Sequence, residues 1–258
     1  MRFNLKKLKF SLNGTQLKYI AIIAMLFDHI GYVLLSGAVA PLVSGVGNTA
    51  GFISADIIGK LLILTHYGFR FIGRLSFPIF CFLLAEGVYH TRNRLKYFLR
   101  MAIFAFVSEI PFDLALYGKW FYMGKQNVFF TLTAGVAVIS VIGWLNKKAQ
   151  TRAVKVISVI LSFIVVAVAY YGLNKLHTDY MGKGMLLMVF LYLFKNVPVM
   201  QCLSGGFLLN DKRSLFAFIP IYFYNGERGK CPKLLKYGFY LFYPVHLLVL
   251  AGISFLIG

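Results

Sequence analysis

Charged side chains are scarce in this 258-residue sequence: they make up 14% of it, and only eight residues are acidic. A soluble domain has about 25% charged residues. Cysteine is also scarce, and Cys81, Cys202 and Cys231 form no C-x-x-C pair, which argues against a disulfide framework or a zinc site. There is no G-x-S-x-G, G-x-x-x-x-G-K-[ST], G-x-G-x-x-G or H-E-x-x-H motif. ATP hydrolysis, hydride transfer and zinc proteolysis are therefore disfavoured.

Apolar residues dominate instead. Hydrophobic residues make up 59% of the sequence and aromatic residues 17%, and the mean hydropathy is +0.75. One soluble core cannot enclose so much apolar surface, because a soluble protein of this size keeps a large wet surface. The composition predicts an all-α, polytopic integral membrane bundle, a single membrane-embedded domain over residues 1–258 that is surrounded by the lipid bilayer.

The apolar runs predict about nine transmembrane helices, with eight to ten as the range, since a spanning helix needs roughly 17–25 mostly apolar residues. The predicted spans are 16–36, 66–89, 97–117, 127–145, 154–173, 180–195, 197–210, 213–225 and 237–257. The seventh and eighth are short enough to form one bent or re-entrant hairpin instead. Segment 38–64 is interrupted by glycines, Asp56 and Lys60, and is predicted to be an extra loop or interfacial segment rather than a further span.

The net charge of +19 is concentrated in short clusters between the apolar runs. Such clusters are typical of cytoplasmic loops under the positive-inside rule, so the N-terminus is predicted to be cytoplasmic. Nucleic acid is not an expected partner, because no basic folded module accompanies the charge. The clusters are Lys6, Lys7, Lys9; Arg92, Arg94, Lys96, Arg100; Lys147, Lys148, Arg152, Lys155; and Arg228, Lys230, Lys233, Lys236.

Polar and ionisable side chains inside the predicted spans are the candidate functional residues. A charge at the bilayer centre costs from about 3 kcal/mol upward, so such groups face the bundle interior or a wet cavity, usually in pairs. Alternatively they only hold helices together. Arg70 and Arg74 share one helix face and are placed to pair with Asp28, Glu109 or Asp113, and Asp28 and Glu109 are the preferred partners. The candidates are Asp28, His29, Arg70, Arg74, Glu86, Glu109, Asp113, Asn127 and His246.

The two histidines are the strongest of these candidates. His29 lies deep in the first predicted span and His246 near the middle of the last. A neutral imidazole is cheaper to bury than a carboxylate, and it accepts a proton near neutral pH. Adjacent helix positions point about 100° apart, so Asp28 is poorly placed to orient the ring of His29. We therefore expect the partner of His29 to come from another helix. The alternative is a pair of buried histidines with a structural role only.

Seven sequence blocks, in order from about residue 13 to 252, resemble the TraX family. They are Asp28-His29-Ile30-Gly31; Gly73-Arg74 with Phe77-Pro78-Ile79-Phe80; Glu86-Gly87 leading to His90-Thr91-Arg92-Asn93-Arg94; Ser108-Glu109-Ile110-Pro111-Phe112-Asp113-Leu114; Gln126-Asn127-Val128-Phe129-Phe130-Thr131-Leu132; Tyr224-Asn225-Gly226-Glu227-Arg228-Gly229; and Phe239-Tyr240-Leu241-Phe242-Tyr243-Pro244-Val245-His246. Segment 38–64 departs from the family pattern.

The resemblance implies a pilin-acetylase-like enzyme of a bacterial cytoplasmic membrane, related to transmembrane acyltransferases. It would move an acetyl group from cytosolic acetyl-CoA to an amine, such as a pilin N-terminus, or to a hydroxyl of an envelope glycan. No metal is predicted. The implied catalytic residues are His29, as base or acyl carrier, with His246 and Asp28. The implied substrate-binding residues are Arg70, Arg74, Glu86, Glu109, Asp113, Asn127 and Tyr243, and Arg92, Arg94, Lys96 and Arg100 would hold the donor phosphates.

Two other functions are compatible with the same residues. A proton-coupled transporter or flippase would use the buried Asp, His and Arg side chains for proton relay or substrate binding. An accessory subunit of a secretion or pilus system would need fewer intramembrane polar residues than this sequence has. The sequence leaves open the acceptor, the length of the acyl group and the oligomeric state.

Overall fold

The computed structural model describes residues 11–43 and 56–257, except for the side chains at 233–236. In these residues the fold is all-α, as predicted, with no strand beyond two isolated bridges, Leu12–Tyr224 and Gln126–Thr178. The helices are α1 (Gly14–Ile30), a π-helical turn (Gly31–Leu35), α2 (Ser36–Val43), α3 (Ile57–Gly73), α4 (Ser76–His90), α5 (Arg94–Val107), α6 (Glu109–Tyr117), α7 (Val128–Lys148), α8 (Arg152–Lys175), α9 (Met181–Leu193), α10 (Pro198–Leu208), a 3-10 helix (Lys212–Ala217), α11 (Phe218–Tyr222) and α12 (Lys233–Ile257).

Within residues 11–43 and 56–257, five helical stretches are long and apolar enough to cross a membrane. The first, Gly14–Val43, has 30 residues and is about 45 Å long at 1.5 Å per residue. The others are Ile57–His90, Val128–Lys148, Arg152–Lys175 and Tyr237–Ile257. Arg152–Lys175 lies at the periphery, because only 6% of the most apolar 18-residue stretch of this helix is buried inside the protein. Its exposed apolar side chains are those expected of a helix in lipid.

Contacts between helices give the direction of each pass through the bundle. Phe77 stacks on Tyr180 and Tyr89 on Tyr192, so α4 and α9 run in the same direction. Followed in this way, the described chain runs back and forth between two ends of the bundle. Five of its helical stretches are long and apolar enough to span a membrane, and the other predicted spans are shorter helices. The sixth to eighth predicted spans are short. Helix α9 has 13 residues and is about 20 Å long, and α10 has 11 residues, so neither matches a hydrocarbon core of about 30 Å alone.

The third predicted span, 97–117, is two helices rather than one. Helix α5 ends at Val107, and α6 begins at Glu109. Pro111 explains the break, because it has no N–H to donate to the carbonyl of Val107. Ser108 bridges the two helices, since its N–H donates to Phe104 and its carbonyl accepts from Phe112.

The described parts of segment 38–64 are helical. Helix α2 reaches Val43, and α3 begins at Ile57, so both flanking helices extend into the segment. Residues 44–55, and the basic cluster before residue 11, lie outside the described residues. Asp56 caps α3 by accepting the N–H of Gly59 at 2.7 Å. The helical ends therefore lengthen the first two passes.

Gly73 allows α1 and α3 to approach closely. A Cβ at this position would lie 2.3 Å from both Cβ and Oδ1 of Asp28. We expect Gly73→Ala to lower stability by about 1–3 kcal/mol, because the helices must separate to admit the methyl group. Gly68→Ala in the same helix is the control: a Cβ there meets nothing within 4 Å, and alanine favours the helix.

Thermal unfolding of both variants in detergent tests this contact. Gly73→Ala should lower the unfolding midpoint, and Gly68→Ala should leave it unchanged or raise it. Equal midpoints for the two variants would show that α1 and α3 do not need the close approach.

The two ends of the bundle differ in character. The end at which α1 begins is named the basic end. Among the described residues, Arg92, Arg94, Arg100 and Arg228 lie there. The opposite side of the packed core holds a layer of ion pairs around the C-terminal part of α1. This layer is named the polar layer, and its members are Asp28, Arg70, Arg74, Lys125, Asp179, Asp211 and Arg213.

Candidate active site

His29 and His246 meet between the first and last helices. Nδ1 of His29 lies 2.7 Å from Nε2 of His246, and Nδ1 of His246 lies 2.6 Å from the carbonyl oxygen of Phe242. His246 is 6% exposed, and His29 is half-buried. The partner of His29 comes from another helix, as the sequence predicts.

The hydrogen bonds assign the protons of the pair. A carbonyl oxygen only accepts, so His246 must donate from Nδ1 to Phe242. In a neutral ring Nε2 of His246 then accepts, and His29 donates to it from Nδ1. This leaves a lone pair on Nε2 of His29. The chain from Phe242 through His246 thus orients His29 as a base or nucleophile.

Both histidines lie where the regular helix is interrupted. The π-helical turn begins two residues after His29, and such turns often occur at functional sites. The carbonyl of Gly31 in that turn accepts the Ser36 hydroxyl at 3.2 Å and lies 3.0 Å from Nδ1 of His66. Pro244 lies inside α12 two residues before His246, and it removes one helix hydrogen bond there.

Asp28 forms an ion pair with Arg70, at 2.6 Å between Oδ1 and the guanidinium. Asp28 and His29 are adjacent, but the carboxylate is engaged by Arg70 rather than by the imidazole. This confirms the pairing expected from the sequence and gives Asp28 a part in holding α1 against α3. The guanidinium of Arg70 also lies over the ring of Tyr32, at 5.2 Å.

Arg74 reaches a carboxylate that sequence reasoning missed. Its Nε lies 3.0 Å from Oδ2 of Asp211, which also pairs with Arg213 at 2.6 Å. Asp211 lies in the loop between α10 and the 3-10 helix, where the hydrogen bonds from Arg213 hold the pKa of its carboxyl below the usual value. No motif links Arg74 to a residue 137 positions away, so the sequence alone carries no signal for this pair.

The loop from His177 to Met181 supplies two more residues of the site that sequence reasoning missed, Asp179 and Tyr180. Three non-glycine residues of this loop have positive φ: His177 (49°), Tyr180 (62°) and Met181 (47°). Such conformations persist only when the surroundings fix them. The stacking of Tyr180 on Phe77, with centroids 3.5 Å apart, and the ion pair from Asp179 to Lys125 at 3.0 Å supply those contacts.

Glu109 and Asn127 bind each other, which corrects the expectation that Glu109 pairs with an arginine. Asn127 is 0% exposed and caps α7 by accepting the N–H of Phe129. Its amide donates to Glu109 and, at 2.8 Å, to the carbonyl of Ala105. Both amide hydrogens are thus used inside the protein, which assigns Asn127 to positioning α7 rather than to binding substrate or an oxyanion.

Asp113 is enclosed and does not line the cavity that opens at the basic end. It is 1% exposed, and its Oδ2 accepts the N–H of Tyr122 at 2.8 Å. That hydrogen bond ties the chain after α6 back onto the helix. Asp113 therefore holds the loop between α6 and α7, and the substrate-binding role expected from the sequence is not supported by its surroundings.

A cavity of about 690 Å³ opens at the basic end and runs into the bundle. Its walls are mainly apolar and aromatic, and it follows α4 from Phe80 to Thr91. Phe80 and Thr91 are eleven positions apart, which gives a depth of about 16 Å at 1.5 Å per residue. At the inner end lie Met25, Val128, Phe129 and Tyr243. The ring of Tyr243 meets the ring of His29 edge-on, with centroids 5.9 Å apart.

The mouth of the cavity is cationic, although only half of the predicted cluster contributes. Arg92 and Arg100 line it. Arg94 instead donates to the carbonyl of Ser140 at 3.0 Å, and Lys96 is exposed and does not line the cavity. These two positions correct the predicted four-residue phosphate site.

Sequence reasoning missed two further cations of the mouth, Lys18 and Arg228. They come from α1 and from the loop before α12, which only the fold brings together. Glu86 also lines the cavity, as predicted, with His90 at 3.5 Å and Lys195 at 3.4 Å from its carboxylate oxygens. The site as a whole is a cationic, apolar-walled cavity with a histidine pair next to its inner end, where the ring of Tyr243 contacts both imidazoles.

The fold and site define a polytopic helical membrane protein with an intramembrane histidine pair. The chain belongs to the TraX family: the model of the TraX protein matches residues 13–254. A curated relative from Dichelobacter nodosus, the probable fimbrial assembly protein FimC of serogroup H1, is 28% identical over 262 residues, covering 92% of this chain and 93% of the relative. No solved structure matches the chain.

Proposed function

We propose that this protein is an integral membrane acetyltransferase that uses acetyl-CoA as donor. The observation that carries the proposal is the oriented histidine pair, with the Nε2 lone pair of His29 unused, beside a cavity that opens among arginines. The basic end faces the cytosol of a bacterial cell, under the positive-inside rule. Acetyl-CoA then enters from that side of the cytoplasmic membrane.

The cavity suits the donor in charge and shape. The nucleotide end of acetyl-CoA carries phosphates, which guanidinium groups bind with matching geometry. The mouth offers Arg92, Arg100 and Arg228 to them. The pantetheine arm is long and narrow, and the cavity of about 16 Å along α4 would hold it with the thioester near Tyr243.

His29 would act as general base in the transfer. The acceptor amine or hydroxyl gives its proton to Nε2 of His29 and attacks the thioester carbonyl. The C–S bond then breaks, and the CoA thiolate takes the proton from His29. His246 accepts from Nδ1 of His29 throughout and steadies the imidazolium that forms.

The acceptor is proposed to be a membrane-inserted peptide of the fimbrial or pilus system, with an envelope glycan hydroxyl as the second candidate. The support is membership of the TraX family and the fimbrial assembly name of the curated relative. A peptide amine attacks only in its neutral form, and His29 would accept the proton that the amine must lose.

Incubation of the purified protein in lipid nanodiscs with labelled acetyl-CoA tests the proposal. We expect saturable binding and slow release of acetate. Proteoliposomes under an imposed pH gradient form the second arm of the experiment. Movement of protons through the protein across the vesicle membrane, with no binding of acetyl-CoA, would favour the transporter alternative and contradict the proposal.

Replacement of His246 tests the positioning role that the pair gives it. His246→Ala removes the acceptor for Nδ1 of His29, so we expect kcat for transfer to fall by about 10–100-fold, with KM for acetyl-CoA nearly unchanged. His246→Gln places an amide oxygen nearby and should recover part of kcat. A change in KM alone would contradict this role.

A further inference from the structure

The ring of Tyr243 lies between the donor cavity and the histidine pair. Tyr243 lines the inner end of the cavity and is 3% exposed, whereas neither His29 nor His246 lines it. Tyr243 meets both imidazoles edge-on, with centroids 5.9 Å from His29 and 5.7 Å from His246. The cavity and the proposed base are therefore on opposite sides of one aromatic ring.

Acetyl transfer cannot proceed across this arrangement. Reacting atoms must come within about 3–3.5 Å of each other, and an intervening ring keeps the groups on its two sides farther apart. A thioester held in the cavity is thus separated from an acceptor activated by His29. Either the ring moves during each turnover, or donor and base never meet.

The surroundings of Tyr243 hold the ring closed but permit it to move. Its hydroxyl lies near the backbone N–H of Val128, one of the N–H groups at the start of α7 that no helix carbonyl satisfies. Phe129 packs edge-on against the other side, at 5.1 Å. Pro244 follows directly and leaves this turn of α12 one hydrogen bond short, which makes the local backbone easier to bend.

We propose that Tyr243 is a gate that keeps the thioester away from His29 until the acceptor is in place. The inference rests on the proposed acetyl-CoA donor. Its consequence is that the closed ring protects the donor from hydrolysis. Without the ring, His29 takes a proton from water, the resulting hydroxide adds to the thioester carbonyl, the C–S bond breaks, and acetate and CoA thiol leave.

Release of acetate from labelled acetyl-CoA in the absence of any acceptor tests the gate. We expect Tyr243→Ala to raise this release by about tenfold or more, since water gains access to the thioester. Tyr243→Phe keeps the ring and loses only the hydroxyl, so it should raise release by much less. Adding His29→Ala to Tyr243→Ala should return release to the level of His29→Ala alone.

Tyr192→Ala is the matched control, because Tyr192 is equally buried, at 6% exposure, and stacks on Tyr89 outside the cavity lining. It should leave release unchanged. Unchanged or lower release in Tyr243→Ala, with acetyl-CoA still bound, would overturn the gate and leave the proposed function standing. If the wild-type protein does not bind acetyl-CoA, both the gate and the proposed function are contradicted. If Tyr243→Ala does not fold, Tyr243→Leu replaces it with the same expected increase.

Discussion

Replacement of His29 by alanine is expected to lower acetyl transfer by about 10²–10⁴-fold, which is the usual contribution of a general base. The variant should still insert and fold, because His29 is half-buried and its one polar partner among the described residues is His246. Acetyl-CoA binding should change little, since His29 does not line the cavity. Single-turnover transfer of labelled acetyl groups measures the loss.

His177→Asn is the matched control for His29→Ala. His177 is exposed and has a positive φ, a conformation that asparagine tolerates, so the loop should keep its shape. Transfer by this variant should stay close to that of the wild-type protein. Near-normal transfer by His29→Ala would contradict the assignment of His29 as base. Equal losses in both variants would point to a general effect on folding.

Removal of two arginines from the mouth is expected to weaken acetyl-CoA binding by about 10²–10⁴-fold. Arg100→Gln and Arg228→Gln each remove one charged hydrogen-bond donor, worth about 1.5–3 kcal/mol. Both residues line the cavity, and Arg100 also lies over the ring of Tyr240 at 5.8 Å. Titration of each protein in nanodiscs with labelled acetyl-CoA gives the dissociation constants.

The control for the double arginine variant removes the same charge at the same end of the molecule. Lys96→Gln with Lys147→Gln lowers the net charge equally, but neither lysine lines the cavity. Affinity should fall by less than about threefold, because distant surface charges act only through the screened overall field. Equal losses in the two double variants would show that the total charge attracts the donor and that the mouth is not its site.

The sequence predicts the parts of this protein that depend on local composition. Long apolar runs establish the membrane-spanning helices, because each helix must satisfy its own backbone in lipid. The cost of burying imidazole and carboxylate groups indicates that His29 and His246 are functional candidates. The same reasoning expects Arg70 or Arg74 to pair with a carboxylate of another span, and in the structure Arg70 pairs with Asp28.

What the sequence does not predict comes from the three-dimensional arrangement. Lys18 and Arg228 are 210 positions apart and share the mouth only because α1 begins beside the loop before α12. Asp179 reaches the polar layer through a left-handed loop whose residues, His177, Tyr180 and Met181, carry no glycine signal. Arg94 donates a hydrogen bond to the carbonyl of Ser140 and does not line the mouth of the cavity.

Under the proposed function, this protein acetylates an acceptor in the cell envelope through His29. Mass spectrometry of envelope peptides and glycans, from cells with equal amounts of the wild-type protein, His29→Ala or His177→Asn, tests it most directly. We predict acetylated species with the wild-type protein and His177→Asn that are missing with His29→Ala. The same acetylation pattern in all three bacterial strains would contradict the proposed role of His29.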